Sequence, residues 1–334
     1  MTGGARPRAV VTGATGFVGR RACAALRARG YTVRAAVRAV APLPLDADEV
    51  IVTGDLTGEV DWTEALADAD VVVHLAARAH VMQDRGPDLD AVYTAANVAP
   101  TARLAAAAAR AGVRRVVYVS SVKAAAERSV RPLTETDAPA PEDAYGRSKL
   151  AAERALAEVA AGTGLEVTVV RPPLVYGAGV RGNFVRLLAL ARASGRVPVP
   201  LGGVANRRSL VAVENLADAL AVVAGHRAAA GETFYVTDGE DLATPELVRR
   251  LAAAMGVRAK LVSVPAGVLR LTGTLAGRGG EVRRLVGSLQ VDDARLRQRC
   301  GWVQPVTGPE AIARTAAWYA ASAVARRGAA PARA

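Results

Sequence analysis

AVVTGATGFVG, residues 9–19, runs from a short apolar segment through glycines at 13, 16 and 19 into a helical pattern. That order reads as strand, tight turn, helix. Glycines at this spacing let the backbone turn sharply, let it approach a pyrophosphate closely, and let the helix pack against the strand it follows. The amides at the helix start then face an anion. With Thr15, Phe17 and Val18 between them, Gly13, Gly16 and Gly19 are the candidate dinucleotide contacts of the loop. A bare glycine triplet is weak on its own; a strand before, a helix after and a second strand at the right distance make it specific.

Working outward, short apolar runs alternate with helical patterns. AVVTG (9–13), TVRAAV (32–37), EVIVTG (49–54), VVVHLAA (71–77), RVVYVSS (115–121) and EVTVVRP (166–172) read as successive strands. Helices are expected between them, the longest over 90–111, where alanine dominates and favours helix. The pattern predicts an α/β protein, a Rossmann-like doubly wound parallel sheet with a smaller C-terminal substrate lobe. The dinucleotide domain is expected over 8–175, with 206–237 returning to it, and the lobe over 176–205 and 238–325. Proline and glycine clusters at 172–182 and 195–203 mark where regularity breaks. Residues 1–7 and 326–334 read as frayed ends.

Composition narrows the function classes. The chain has 334 residues, half of them apolar, enough to bury a large core. No stretch approaches the roughly 20 uninterrupted apolar residues of a membrane span, and the N-terminus runs into a strand rather than a signal sequence, so a cytoplasmic protein without membrane insertion is expected. Cys23 and Cys300 match neither a metal-ligand nor a redox spacing, so no metal is expected. The net charge of +12 invites a nucleic-acid partner. The cations, almost all arginine, are spread along the chain without a basic run, which argues against one. The same charge raises the local concentration of an anionic small substrate.

The catalytic candidates are Ser121, Tyr145 and Lys149. In YGRSK, 145–149, a phenol and an ammonium stand four residues apart, on one helix face. A tyrosine ordinarily titrates near pH 10, so exchanging a proton with a hydroxyl or ketone near neutrality calls for a neighbouring cation. Lys149 is placed to supply it and to hold a nicotinamide ribose, while Ser121, closing the fifth strand, can hydrogen-bond the reacting oxygen. Cofactor identity turns on the end of the second strand, where NAD-binding chains carry an acid for the ribose 2′-hydroxyl. Here the strand ends Val37-Arg38, no acid comes before Asp46, and Arg34 and Arg38 stand ready for a 2′-phosphate. NADP(H) is therefore the favoured cofactor, with NAD(H) as the alternative. Asp55 and Leu56, after the third strand, are candidates for the adenine side.

These residues resemble the extended short-chain dehydrogenase/reductases, the class of nucleotide-sugar epimerases and dehydratases, over nearly the whole chain. HLAARAHVMQD (74–84), RPPLVYGAGVRGNF (171–184) and NRRSLVAVENLADAL (206–220) resemble more narrowly a UDP-glucose 4-epimerase-like branch that includes 4-keto sugar reductases. The resemblance implies that His74, Leu75, Ala76 and Ala77 line the cofactor cleft together with Pro172, and that Asn97 supports the site. It implies that Arg78 and Ser121 meet the substrate, that Asn183 contacts its diphosphate or uridine, and that Arg208 binds phosphate. A guanidinium suits that last task because it presents a two-pronged fork to a diphosphate. The implied partner is a nucleotide-diphosphate sugar, and the resemblance implies a homodimer whose seam is made by the helices over 90–111 and 143–161.

The chain departs from the family after Ser121, where Val122-Lys123-Ala124-Ala125-Ala126 replaces a Tyr-Gly turn. The wall of the sugar pocket is altered there. An NADP-leaning pocket suits a 4-keto sugar reductase, which draws on a reduced pool, better than a 4-epimerase, which keeps its cofactor. The reductase is thus the first expectation and the UDP-hexose 4-epimerase the second. A non-catalytic dinucleotide sensor has no need of Ser121, Tyr145 and Lys149 together.

Overall fold

The computed structural model describes residues 6–40, 44–78, 88–277 and 279–328, with side chains described to 322. Much of HLAARAHVMQD and most of the expected frayed ends lie outside the described residues. The chain runs β1 (Arg8–Thr12), α1 (Phe17–Ala28), β2 (Thr32–Val37), β3 (Glu49–Val52), α2 (Thr63–Leu66), β4 (Val71–His74), α3 (Leu89–Arg110) and β5 (Arg115–Val119). Then come α4 (Ala144–Ala161), β6 (Glu166–Arg171), β7 (Leu174–Tyr176), α5 (Asn183–Ala193), β8 (Arg208–Ala212), α6 (Val213–Gly225) and β9 (Thr233–Tyr235). The remainder is β10 (Asp241–Leu242), α7 (Thr244–Ala254), α8 (Ala266–Leu275), α9 (Gly279–Val286), α10 (Ala294–Cys300) and α11 (Gly308–Gly328).

Seven strands form one parallel sheet in the order β3-β2-β1-β4-β5-β6-β9. The inner strands are covered on both faces, which is why their sequences read as continuous apolar runs, whereas the edge strand β3 leaves Val50 and Val52 exposed. Along β1, Ala9 and Val11 join the core beneath α1 and α6, while Val10 joins the opposite core beneath α2, α3 and α4. The strand order reverses between β1 and β4. In such sheets a ligand cleft opens at the carboxyl ends of the strands flanking that reversal, and the candidate residues converge on this edge.

A second sheet of three short strands, β10-β8-β7, belongs to a separate core with α5, α7 and α11, built around Tyr176, Phe184, Leu188 and Leu251. Tyr176 and Phe184 stack there with centroids 5.2 Å apart. Both cysteines are buried free thiols. Among the described residues no helix is long and apolar enough to cross a membrane, and no group of side chains is arranged to hold a metal ion.

Candidate active site

The glycine loop fits a dinucleotide on steric grounds. Gly13 has a φ of +67°, and a Cβ there would lie 2.8 Å from the Ala76 nitrogen. A Cβ at Gly19 would meet the Gly13 carbonyl oxygen at 2.1 Å. The loop thus lies flush against the end of β4 and the start of α1, and only glycine allows it. Gly16 caps α1 without a side-chain hydrogen bond, and the first turn carries no acid, so the amide end presents itself to a phosphate. Thr15 is exposed, Val18 packs on the main core, and Phe17 leaves the loop to pack against the lobe core, 3.7 Å from the Cβ position of Gly179.

Beneath the loop, Thr12 and His74 lock β1 to β4. Thr101 donates its hydroxyl to the Asn97 carbonyl (2.6 Å), so it must accept from His74 Nε2 (3.0 Å). His74 Nδ1 is then free to accept from Thr12 Oγ1 at 2.7 Å. Thr12 Oγ1 in turn accepts the amides of Leu75 and Ala76, each at 3.2 Å. The chain of donors assigns one tautomer, with the proton on Nε2. Burial, then the nearby Lys149 ammonium, pushes the imidazole down to about 3, so it is neutral and structural at physiological pH. Leu75 and Ala76 are thereby held at the lip of the cleft, with Ala77 and Arg78 exposed beyond them.

The catalytic candidates come together at the ends of β5 and α4. Tyr145 hydrogen-bonds Ser121. Burial is the main influence on the Tyr145 phenol and drives it above its ordinary range; Ser121 opposes this, and Asp143 and Tyr93 add to it. Lys149 lies one turn further along the same face. Its Nζ donates to the Val119 carbonyl at 2.8 Å and stands 4.6 Å from the centre of the Tyr118 ring. Burial pushes this ammonium down to about 7, so near neutrality it exists in both forms. The sequence reading gave Lys149 the task of lowering the tyrosine; in this conformation its ammonium is turned to the Val119 carbonyl instead.

Several side chains that sequence reasoning missed hold this set in place. Glu153, one further turn along α4, is buried and meets Arg171 of β6 through two hydrogen bonds, at 3.0 and 2.5 Å, and also accepts from Ser120. The signal was present: positions 145, 149 and 153 continue one i, i+4 stripe, whose polar members could only be buried if paired. Asn97 accepts from the Arg78 amide at 2.7 Å and donates to the Arg78 carbonyl and to Ser148, whose hydroxyl in turn holds the Tyr145 carbonyl at 2.8 Å. Arg78 lies over the Tyr93 ring, and Tyr93 meets Tyr145 edge-on with centroids 6.0 Å apart. The buried Pro172 accepts from the Val122 amide and so fixes the turn after Ser121.

On the adenine side one sequence inference is corrected. Arg34 is buried, paired with Glu49 at 2.6 Å and bonded to the carbonyls of Glu64, Ala65 and Ala67. It is unavailable to a 2′-phosphate, because it sits four residues upstream of Arg38, roughly 13 Å along an extended strand from the carboxyl edge. Arg38 alone is exposed there. Two hydrogen bonds from Thr57, and to a lesser degree the Arg38 charge, hold the Asp55 carboxyl below the usual range. Leu56 is half-buried, and Arg103 of α3 clamps the carbonyls of Leu56, Thr57 and Gly58 at 2.9, 3.2 and 3.1 Å.

On the substrate side, Asn183 is exposed as the first residue of α5, after Gly182 with φ +67°. Arg208 is half-buried at the start of β8, with Nη1 on the carbonyls of Arg284 and Gly287. Burial lowers its guanidinium somewhat, and Glu127 counteracts this. Glu127, which accepts from Lys123 Nζ at 2.9 Å, thus lies within electrostatic reach of Arg208.

The profile of the "NAD dependent epimerase/dehydratase family" matches residues 9–236. A protein of Vibrio cholerae named "UDP-glucose 4-epimerase" is 38% identical over 311 residues, 92% of this chain and 94% of its own. Among solved structures, MoeE5 in complex with UDP-glucuronic acid and NAD superposes with a TM-score of 0.74 at 29% identity, covering 94% of this chain and 99% of that one. A short-chain dehydrogenase/reductase superfamily protein from Agrobacterium tumefaciens with bound NAD shares the fold at a TM-score of 0.75 and 24% identity, over 96% of this chain and 99% of that one. With the glycine cradle, the Ser121–Tyr145–Lys149 set and a match that runs across the whole sheet, the chain belongs to the NAD-dependent epimerase/dehydratase family.

Proposed function

We propose that this protein is a UDP-hexose 4-epimerase that works with a retained NAD. The reading is carried by the Tyr145–Ser121 hydrogen bond at the carboxyl edge of the sheet, beside an anion-accepting glycine loop. The choice of reaction follows the Vibrio cholerae relative, which is similar over nearly its full length. The loss of Arg34 from the cofactor pocket removes half of the argument for NADP(H), on which the reductase expectation rested.

The residues fit a nicotinamide dinucleotide: the loop from Gly13 to Gly19 for the pyrophosphate, Arg38 and Asp55 for the adenosine end, Lys149 for the nicotinamide ribose. When bound, the nicotinamide supplies a hydride acceptor at C4 of the sugar. Tyr145 exchanges the proton of the C4 hydroxyl, and Ser121 holds the same oxygen as its charge develops. Inversion at C4 requires the sugar to present its other face before the hydride returns. A diphosphate anchored at a distance, by Arg208 and Asn183, lets the hexose turn without leaving. The lobe built on β7, β8 and β10 is the natural seat for that anchor.

The test is direct. Purified protein, without added cofactor, should interconvert UDP-glucose and UDP-galactose or their N-acetyl counterparts, and should release NAD on denaturation. Protein that carries no dinucleotide, consumes NADPH with a UDP-4-keto sugar and leaves UDP-hexoses unchanged would overturn the epimerase and establish the 4-keto sugar reductase. One observation keeps that second reading in view: β2 ends in the exposed Arg38, and no acid follows it in the chain before Asp46. Arg38→Ala is expected to weaken NADP(H) more than NAD(H), by roughly 1.5–3 kcal/mol, since a charge-assisted contact to a 2′-phosphate exists only when the phosphate does. Titration of both cofactors against the variant measures it; an equal loss for both would show that Arg38 only stacks on adenine.

A further inference from the structure

The segment after Ser121 departs from the family pattern, and the structure shows what stands there. Val122–Ala124 forms one short helical turn capped by Ser121, whose Oγ accepts the Lys123 amide at 3.2 Å. The Lys123 side chain leaves this turn and donates to Asp143 Oδ2 at 2.5 Å and Glu127 Oε1 at 2.9 Å. Asp143 is the N-cap of α4: its other oxygen accepts the Gly146 amide at 2.7 Å. Gly146 itself lies against the Lys123 carbonyl so closely that a Cβ would come within 2.3 Å of the oxygen. The Ala140 amide closes the same junction onto the Ala125 carbonyl at 2.7 Å. Lys123 thus contacts the catalytic serine through its amide, the catalytic helix through its carbonyl, and the cap of that helix through its ammonium.

We propose that Lys123 is a positioning residue for the C4 chemistry, clamping the Ser121 turn to the first turn of α4 so that Tyr145 meets Ser121. The inference rests on the reading of Tyr145 as the proton-exchanging group. An ion pair only 18% and 27% exposed on its two sides is screened far less than a surface pair. Its removal would leave Asp143 and Glu127 facing each other without the Lys123 ammonium, with Arg208 beside Glu127 as a more indirect counter-charge. The groups around the Tyr145 phenol are Asp143 and Lys149 on its own helix, Tyr93 on α3, Tyr118 on β5 and Ser121 on the turn, with Lys123 and Glu127 behind Asp143. Asp143 disfavours the phenolate, and Lys123 offsets that charge.

The experiment compares Lys123→Met, Lys123→Arg and the double variant Lys123→Met/Asp143→Asn with wild type. In Lys123→Met, kcat should fall tenfold or more, on the scale of about 10²-fold that a small misplacement costs, with KM for the UDP-hexose nearly unchanged. The acidic limb of kcat/KM should move up by about one pH unit, as for an unmasked neighbouring charge. Lys123→Arg should restore most of the rate, and the double variant should return the limb toward wild type. Hydrogen exchange at the Gly146 amide, which needs no substrate, should speed up in Lys123→Met and not in Lys123→Arg. Unchanged exchange at Gly146 overturns the clamp whatever the substrate proves to be. A fall in kcat with no movement of the limb, or one that arginine does not rescue, overturns the positioning role. Faster exchange in a protein whose wild type leaves UDP-hexoses untouched refutes the epimerase reading and leaves the clamp standing.

Discussion

Tyr145→Phe is expected to cut turnover on the true substrate by about 10²–10⁴-fold, the usual worth of a general acid–base group, while the fold and cofactor affinity remain. The ring keeps its place through contacts that do not need the hydroxyl: Tyr93 packs edge-on against it, and the Tyr145 carbonyl is held by Ser148. Only the transferable proton and the hydrogen bond to Ser121 are lost. The phenol is held above its ordinary range by burial, so a working enzyme has to lower it, and an oxidised nicotinamide held in the proposed cleft would supply the positive charge to do so. Wild-type activity should accordingly rise with pH on its acidic side, and the dependence should disappear from the residual activity of Tyr145→Phe. Near-wild-type turnover in the variant would remove Tyr145 from the chemistry.

The parts of the site readable from sequence are those whose residues are close in the chain. TVRAAV coincides with β2 from end to end, and the 145–149 pair lies on α4 one turn apart. Strand ends were less legible. VVVHLAA and RVVYVSS were read as strands to Ala77 and Ser121, whereas β4 stops at His74 and β5 at Val119. Beyond those points the backbone leaves the ladder to serve the site: the Leu75 and Ala76 amides turn to Thr12, and Ser121 caps the turn of Lys123. Hydrophobic pattern does not register that change of partner. The Thr12–His74–Thr101 chain and the Glu153–Arg171 pair join segments 62, 27 and 18 residues apart, so no local spacing announces them. The lobe was legible only as irregularity, because its sheet pairs β7 and β10 with a β8 more than thirty residues from each. Arg34 misled because its charge was read without its place on the strand.

Buried pairs such as Glu153 with Arg171 show how this chain keeps polar groups in its interior. A buried ion pair contributes little net stability but costs several kcal/mol when one partner is removed. What it secures is register: α4 is tied to β5 through Ser120 and to β6 through Arg171, at a fixed height along the sheet. Lys149 is buried on the same stripe without a carboxylate in contact, its ammonium satisfied by a carbonyl and an aromatic face. That arrangement favours function over folding.

Lys149→Met is therefore expected to abolish most activity and yet to stabilise the fold at neutral pH. The lysine is pushed down from 10.5 to about 7 by burial. Between those two values the unfolded chain binds a proton that the folded chain does not, so stability rises with pH across the window and is lost as pH falls from 10.5 toward 7. A depression of this size corresponds to a folding penalty on the order of several kcal/mol at pH 7, offset in part by the carbonyl and ring contacts. Methionine has a similar length and no charge to desolvate, so it fills the space against Tyr118 without the penalty. Denaturant unfolding of wild type and variant from pH 7 to pH 10 measures the effect as a difference: the variant should be the more stable at pH 7, and the gap should close as pH rises. Activity should not follow stability, because in the proposed function the Lys149 ammonium holds the ribose of the bound dinucleotide. A variant less stable than wild type at pH 7 would mean that the Val119 and Tyr118 contacts outweigh desolvation, and one with undiminished turnover would detach Lys149 from the reaction.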